Sequence, residues 1–354
     1  MSLDDNQEKL RISLDDLSSV AAPPPPAAGS LPAAVPAGSK SYGNINTTPD
    51  APVMAQEKGS LLLQAWFYLG VAGLLGSLAG WGICEHSFVD GQGAHWGNIF
   101  MLPSIVALMC MGFAIAESVV ERSLRKALIR AGLGLVLGLI LGFVFYGVAN
   151  VIFAIGLAFC RAAGVQTYHN PAFWVTRGIA WMVFGAAGGV VYGIVGQSMK
   201  KTGYGALGGA LGAFLGGIVF DPISFVTHGG APSRAVGFAL LGMATGIAMG
   251  LVESALKDRW LYVTAGPLAG KQFILYKPVT TMGSSQGCDV YLFKDPDILP
   301  QHATLEVKGS RTHLIAAGPV YASGQPVRGM RVLETGSIIS IGRYVFRYQE
   351  KQRK

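Results

Sequence analysis

A chain of 354 residues in which 51% are apolar and only 13% are charged does not read as one soluble globular domain. Its formal charge of +7 is small, and no nucleic-acid-binding motif or basic–aromatic stripe accompanies it, so nucleic acid is not an expected partner. The four cysteines, Cys84, Cys110, Cys160 and Cys288, form no CxxC pair, which removes the common zinc and redox motifs.

In chain order, residues 1–58 come first. The run "VAAPPPPAAGSLPAAVPAG" cannot bury a core, and an extended, disordered tail is expected there. The tail starts acidic and polar, without the basic and apolar regions of a cleavable signal peptide. It also holds "INTTPD", with Thr47 three residues before Asp50.

Residues 59–257 are a membrane zone, because a spanning helix needs about 20 mainly apolar residues. Six stretches qualify: Leu61–Cys84, Ile99–Val119, Ala131–Cys160, Ala172–Gln197, Ala206–Val226 and Ala235–Leu256. Splitting the long third stretch gives a seven-span alternative, but no polar loop separates its halves. Basic residues set the expected orientation. Arg122, Arg125, Lys126 and Arg130 follow the second stretch, Lys200 and Lys201 the fourth, and Lys257 and Arg259 the sixth. The opposite loops hold only Arg161 and Arg234. Six spans in a cell membrane, with both termini cytoplasmic, fit every loop.

Glycines recur every fourth residue: Gly134, Gly138 and Gly142; Gly185, Gly189 and Gly193; Gly208, Gly212 and Gly216; Gly242, Gly246 and Gly250. This spacing places small residues on one helix face, where backbones pack closely. The segment "GAAGGVVYGIVGQSMKK" aligns without gaps to "GMATGIAMGLVESALKD", and "MGFAIAESVVERSLRK" follows more loosely. Repeated glycine-rich hairpins forming a tight bundle are therefore expected. Ionisable residues within the spans are few: Glu117, Glu253, Arg177 and Asp221, all near an end. A Glu117/Glu253 pair is placed to hold a cation, or to pair with interfacial Lys and Arg. No catalytic constellation, metal site or cofactor motif stands out, so neither an enzyme nor a cofactor is expected.

From residue 258 to 354 the pattern changes to alternation, in "WLYVTAG", "KQFILYK", "DVYLF", "ATLEVK", "HLIAAG" and "SIISIGRYVFRYQ". Short strands broken by Gly, Pro, Asp and Ser indicate an all-β sandwich. The ordered series "AGPLAGKQFILY", "TTMGSS", "CDVYLF", "QHATLEV", "PVRG" and "LETGSIISIGRYVFRY" resembles a forkhead-associated (FHA) domain over Trp260–Tyr348. The matched positions include Gly266, Pro267, Gly270, Gly283, Asp289, His302, Ala303, Gly329, Gly336 and Gly342. The resemblance implies an eleven-stranded sandwich whose loops at one end bind phosphothreonine peptides.

At the positions that contact phosphopeptide in that family, this chain departs from the pattern. Ser284 stands where the family has an Arg after the glycine matching Gly283. Leu299 replaces a Ser three residues before His302, and Pro300 replaces the Arg that commonly follows. Ser323, before Gly324, replaces an Asn. His302 remains, with a bracing role in the family. The candidate peptide face is Ser284, Ser285, Leu299, His302, Ser323, Gly324 and Arg328, with Gln286, Lys294 and Arg331 nearby in sequence. The expected function is an integral membrane adaptor or scaffold, its partners the lipid bilayer and an unidentified cytoplasmic protein bound without phosphate. The alternative is a small-solute channel or transporter regulated by its FHA domain.

Overall fold

The computed structural model of the chain describes residues 61–91, 95–165 and 169–351. The tail expected over residues 1–58, with Thr47, lies outside them. Among the described residues, six helices are long and apolar enough to cross a membrane: α1 (Ala65–Cys84), α2 (Trp96–Val120), α3 (Leu124–Ala162), α4 (Pro171–Val195), α5 (Met199–Val226) and α6 (Gly230–Leu256). Helix α3 has 39 residues and runs unbroken through the stretch that a seven-span reading would split. It starts seven residues before the expected Ala131. Arg125, Lys126 and Arg130, expected in a loop, therefore ride on its first turns. The reason is local: "LRKALIR" consists of good helix formers, and nothing breaks the helix before the apolar run begins.

Four of the five connections between helices begin in the same way. A residue in the left-handed region follows the helix, and the next amide donates to the carbonyl five residues back. The left-handed residues are Arg122 (φ 54°), Gly164 (φ 77°), Gln197 (φ 54°) and His228 (φ 59°). The corresponding bonds are Ser123 N–H to Ser118 (2.9 Å), Val165 to Cys160 (2.9 Å), Ser198 to Gly193 (3.1 Å) and Gly229 to Ser224 (2.9 Å). These are Schellman caps, which satisfy carbonyls left open at helix ends. Only three residues separate α2 from α3 and α4 from α5, so each pair forms an antiparallel hairpin.

The helices close into a ring in which each packs beside the next in sequence and α6 returns to α1. Helices α2 and α4 also meet across the ring, and more than half of each apolar stretch is buried. Phe113 of α2 sits at this crossing, fully buried. The repeated glycines lie where backbones touch. A Cβ on Gly185 would stand 2.0 Å from the Gly209 carbonyl oxygen, and one on Gly242 2.2 Å from that of Gly73. On α3, Gly134, Gly138 and Gly142 face Ala114, Cys110 and Pro103 of α2. At the end away from the β-sandwich, Arg177 pairs with Asp221 at 2.9 Å, and Arg234 joins Glu85 to Asp90.

Only Lys257 and Asp258 separate α6 from the sandwich. Its strands are β1 (Arg259–Ala265), β2 (Gln272–Ile274), β3 (Val279–Gly283), β4 (Val290–Tyr291), β5 (Ala303–Lys308), β6 (Arg311–Ala316), β7 (Tyr321–Ala322), β8 (Gln325–Pro326), β9 (Met330–Leu333), β10 (Ile338–Ile341) and β11 (Tyr344–Glu350). One sheet runs β2-β1-β11-β10-β7-β8 and the other β4-β3-β5-β6-β9. Among the described strands only the β3–β4 pair is parallel. Alternation places Tyr344, Phe346 and Tyr348 of β11 inward, beside Leu261 and Val263 of β1. The Tyr348 hydroxyl bonds Thr312 Oγ1 at 2.8 Å, and that of Tyr344 donates to the Phe293 carbonyl at 2.7 Å. Both buried phenols are thereby satisfied.

Candidate functional site

Two regions carry chemistry: the loop end of the sandwich, and its junction with the helical bundle. At the loop end, β3 stops at Gly283, where a Cβ would stand 2.2 Å from the Pro300 carbonyl oxygen. That closeness brings the β3–β4 loop onto the loop before β5. Ser284 N–H donates to Leu299 O (3.0 Å), and Ser285 N–H to Pro300 O (3.1 Å). The Ser284 hydroxyl turns inward and donates to Ile298 O at 2.7 Å. Ser285 Oγ accepts from Gly287 N–H at 3.2 Å. Both hydroxyls thus serve the local fold, while the Leu299 side chain remains exposed.

His302 is buried behind this pair of loops. Its Nδ1 accepts from Leu299 N–H (3.0 Å) and its Nε2 bonds Pro319 O (3.0 Å). Those partners make Nε2 the protonated nitrogen. The ring therefore ties the loop before β5 to the loop before β7. Ser323 (φ 49°) and Gly324 (φ 78°) form the two-residue turn between β7 and β8, both left-handed as such hairpins favour. Arg331, on β9, is engaged with Ala322 O at 3.1 Å and Gln325. Arg328 is exposed and makes no ion pair or side-chain hydrogen bond among the described residues. Ser284, Ser285, Leu299 and His302 are thus joined directly; Ser323, Gly324 and Arg328 share no hydrogen bond with them among the described residues. Neither Arg328 nor Arg331 is hydrogen-bonded to the Ser284 loop among the described residues.

Asp289 closes the β3–β4 loop. It accepts from Thr281 N–H (2.9 Å) and Thr281 Oγ1 (3.0 Å), and pairs with Lys277 at 2.8 Å. Burial alone raises a carboxyl pKa, but the Lys277 and Thr281 bonds outweigh it and hold Asp289 below its ordinary value.

The same loop also reaches the bundle. Gln286 Oε1 accepts from Ser123 Oγ (3.3 Å), and the Cys288 carbonyl from Lys126 Nζ (2.5 Å), at the α2–α3 turn. Lys271, between β1 and β2, is buried against Glu121 at 2.8 Å. Beneath these contacts lies a polar cluster to which each helix gives one side chain: Tyr68, Glu117, Arg130, Tyr192, Lys201 and Glu253. Glu117 pairs with Lys201 (2.5 Å) and Arg130 (3.4 Å). The Tyr192 hydroxyl lies within bonding distance of Glu117 (2.9 Å) and Glu253 (3.3 Å). Tyr276 of the sandwich donates to Glu253 from the other side. Burial, and then the Glu253 carboxylate, push the Tyr276 phenol well above its ordinary pKa, so it remains a donor. Every member of the cluster but Tyr192 lines a cavity of about 470 Å³ between bundle and sandwich.

Glu117 and Glu253 were legible from the sequence as ionisable residues in apolar helices. Lys271 and Tyr276 were not: nothing in a β-turn segment announces that it faces a helix end. Lys201 read only as one of the basic residues that set the orientation, and Glu121 was not singled out.

A family model described as "FHA domain" matches residues 280–342. Among curated proteins, an oxoglutarate dehydrogenase inhibitor of Corynebacterium efficiens is 32% identical over 87 residues, and one of Corynebacterium glutamicum 31% over 87. Each match spans 24% of this chain, and 60% and 59% of those proteins. Among solved structures, an FHA domain from Chlamydia trachomatis is 22% identical and covers 27% of this chain and 100% of that one, with TM-score 0.26. The N-terminal FHA domain of S. cerevisiae Rad53p, solved with a phosphothreonine peptide, is 15% identical over 27% of this chain and 94% of that one, with TM-score 0.25. The C-terminal β-sandwich of this chain, following six long apolar helices, is an FHA domain.

Proposed function

We propose that this chain is a multi-pass membrane protein with both termini in the cytoplasm, and that its FHA domain recruits a partner protein independently of phosphothreonine. The domains are a tail over 1–58, a six-helix membrane unit over 59–257 and the FHA domain over 258–354. The curated relatives are named inhibitors of an enzyme, which supports a regulatory binding role rather than catalysis.

The observation that carries this reading is the state of Ser284. Its hydroxyl is committed to Ile298 O, and neither Arg328 nor Arg331 is bonded to the Ser284 loop. Phosphate recognition relies on converging charge-assisted donors, and a planar Arg fork has no substitute in a short hydroxyl. What the loop end exposes instead is Leu299, Tyr321 and a Ser-Gly turn. This surface suits an apolar or uncharged peptide.

The test is capture of partners by the tagged full chain, solubilised in detergent, from lysate with and without phosphatase. Partners retained equally in both, and lost when Leu299→Asp is introduced, support the reading. Partners that vanish after phosphatase overturn it. A second reading, regulated passage of a small solute, is favoured by the cavity and by the buried ionisable cluster capped by the FHA domain. Solute flux in proteoliposomes that responds to Tyr276→Phe supports it.

A further inference from the structure

Six cationic side chains and four carboxylates line the cavity between bundle and FHA domain, an excess of two positive charges. The carboxylates are already served. Glu117 has Lys201 and Arg130, Glu121 has Lys126 and Lys271, and Asp289 has Lys277. Glu253 accepts from two tyrosines. Arg125 is different: it lines the cavity, is exposed, and has no ion pair or hydrogen bond among the described residues. Below it on α3, Ile129 and Leu133 line the same cavity, yet are 56% and 50% exposed. Leu63, just before α1, and Trp66, in its first turn, also line it. From Arg125 to Leu133 the helix advances about 12 Å. One wall therefore passes along that length from a guanidinium without a partner among the described residues to apolar side chains.

We propose that this cavity binds one acidic phospholipid of the cytoplasmic leaflet, its phosphate at Arg125 with Lys126 beside it and its acyl chains along Ile129 and Leu133. The site lies where the FHA domain meets the bundle, so a bound lipid touches both Arg125 of α3 and the β3–β4 loop side of the cavity. It rests on the membrane-spanning reading but not on the reading of the peptide face. Two sources offer the same phosphate chemistry, a lipid headgroup and free phosphate. The apolar lower wall commits the site to the lipid.

The experiment uses the full chain in detergent and native mass spectrometry. Phosphatidylglycerol and phosphatidylcholine with identical acyl chains are added separately, and thermal melting is followed with inorganic phosphate as a third arm. The expected result is one retained phosphatidylglycerol per chain, preferred over phosphatidylcholine by roughly tenfold or more. Arg125→Glu should abolish that preference. Arg122→Glu should keep it, because Arg122 is also exposed but does not line the cavity. The Arg125 side chain makes no ion pair or hydrogen bond among the described residues, so its substitution does not confound binding with folding. Equal retention of the two lipids, or a preference untouched by Arg125→Glu, overturns the site. So does stabilisation by millimolar inorganic phosphate that matches the lipid's, which assigns the cavity to a soluble anion. Release of the chain from membranes by carbonate, without detergent, instead refutes the membrane-spanning reading and is scored separately.

Discussion

At the scale of single residues, the peptide face is decided by where a few small side chains point. Ser284 is bonded to the loop before β5, and His302 is locked between Leu299 and Pro319. Introducing the family's Arg at one position therefore breaks a local bond without rebuilding the rest of the site. A peptide covering residues 41–52 and phosphorylated at Thr47 is expected to bind the protein with a dissociation constant of about 1 mM or weaker. Ser284→Arg alone should not bring it to the micromolar range, since Leu299 and Ser323 remain. Calorimetric titration of both peptide forms against both proteins decides this; low-micromolar, phosphate-dependent binding to the unmodified chain would contradict it.

Two tyrosines make a second prediction at this scale. Burial pushes the phenols of Tyr344 and Tyr348 up to about 12. An unfolded chain releases these protons near pH 10, whereas the folded sandwich holds them neutral. The folded pKa is thus raised. The contribution is whole below pH 10 and is lost as pH rises from about 10 to about 12. Urea midpoints of the β-sandwich should be flat up to about pH 9.5 and fall above it, and Tyr348→Phe should flatten part of that fall. A midpoint independent of pH through this window would show the phenols to be unburied in solution.

At the scale of elements, the helices are held at distances that admit no side chain. A Cβ at Gly246 would lie 2.0 Å from the Leu69 carbonyl oxygen, and one at Gly212 2.4 Å from that of Ala244. At Gly138 the obstacle is Cys110 Cβ at 2.6 Å. Backbone does not move aside as a flexible side-chain tip does. Gly138→Leu, Gly212→Leu and Gly246→Leu should each destabilise the bundle by about 1–3 kcal/mol or more. Gly132 and Gly203 have open space around them, so alanine there should be neutral or stabilise by up to about 1 kcal/mol through helix propensity. Melting of the five variants in detergent separates the two classes. If all melt alike, close backbone approach is not what holds the ring.

At the scale of the whole molecule, the orientation and the junction are open to direct tests. Single cysteines at Ser41 and Gln349, in a chain lacking the native ones, should escape a membrane-impermeant thiol reagent in intact cells and react after permeabilisation. Labelling of either in intact cells would reverse the proposed topology. The junction depends on Lys271 with Glu121 and on Tyr276 with Glu253. Removing the lysine leaves a buried carboxylate short of one partner, which is costly. Lys271→Met combined with Tyr276→Phe should loosen the FHA domain and speed tryptic cleavage at Lys257 or Arg259, in the two-residue link and the first residue of β1. Unchanged cleavage would mean that the link itself, rather than the buried pairs, holds the domain in place.

The sequence by itself determined the kinds of structure present. Apolar runs of helical length specify six long helices, since chain length and hydropathy are local properties. Period-two alternation and turn residues specify a sandwich, and the ordered glycines, His302 and Asp289 carry the FHA pattern. The missing Arg at Ser284 is equally a one-dimensional fact. What only the tertiary structure decided is which residues meet. The early start of α3 has a local cause, but that its first turns bring Arg125 and Arg130 onto a cavity wall is decided by what packs against them. Tyr68, Glu117, Arg130, Tyr192, Lys201 and Glu253 lie up to 185 positions apart, and only closure of the ring from α6 to α1 gathers them. Lys271 and Tyr276 join them because a two-residue link folds the sandwich back onto the helix ends. Charge pairing over such separations leaves no periodic trace in a chain, since each partner satisfies its own local pattern.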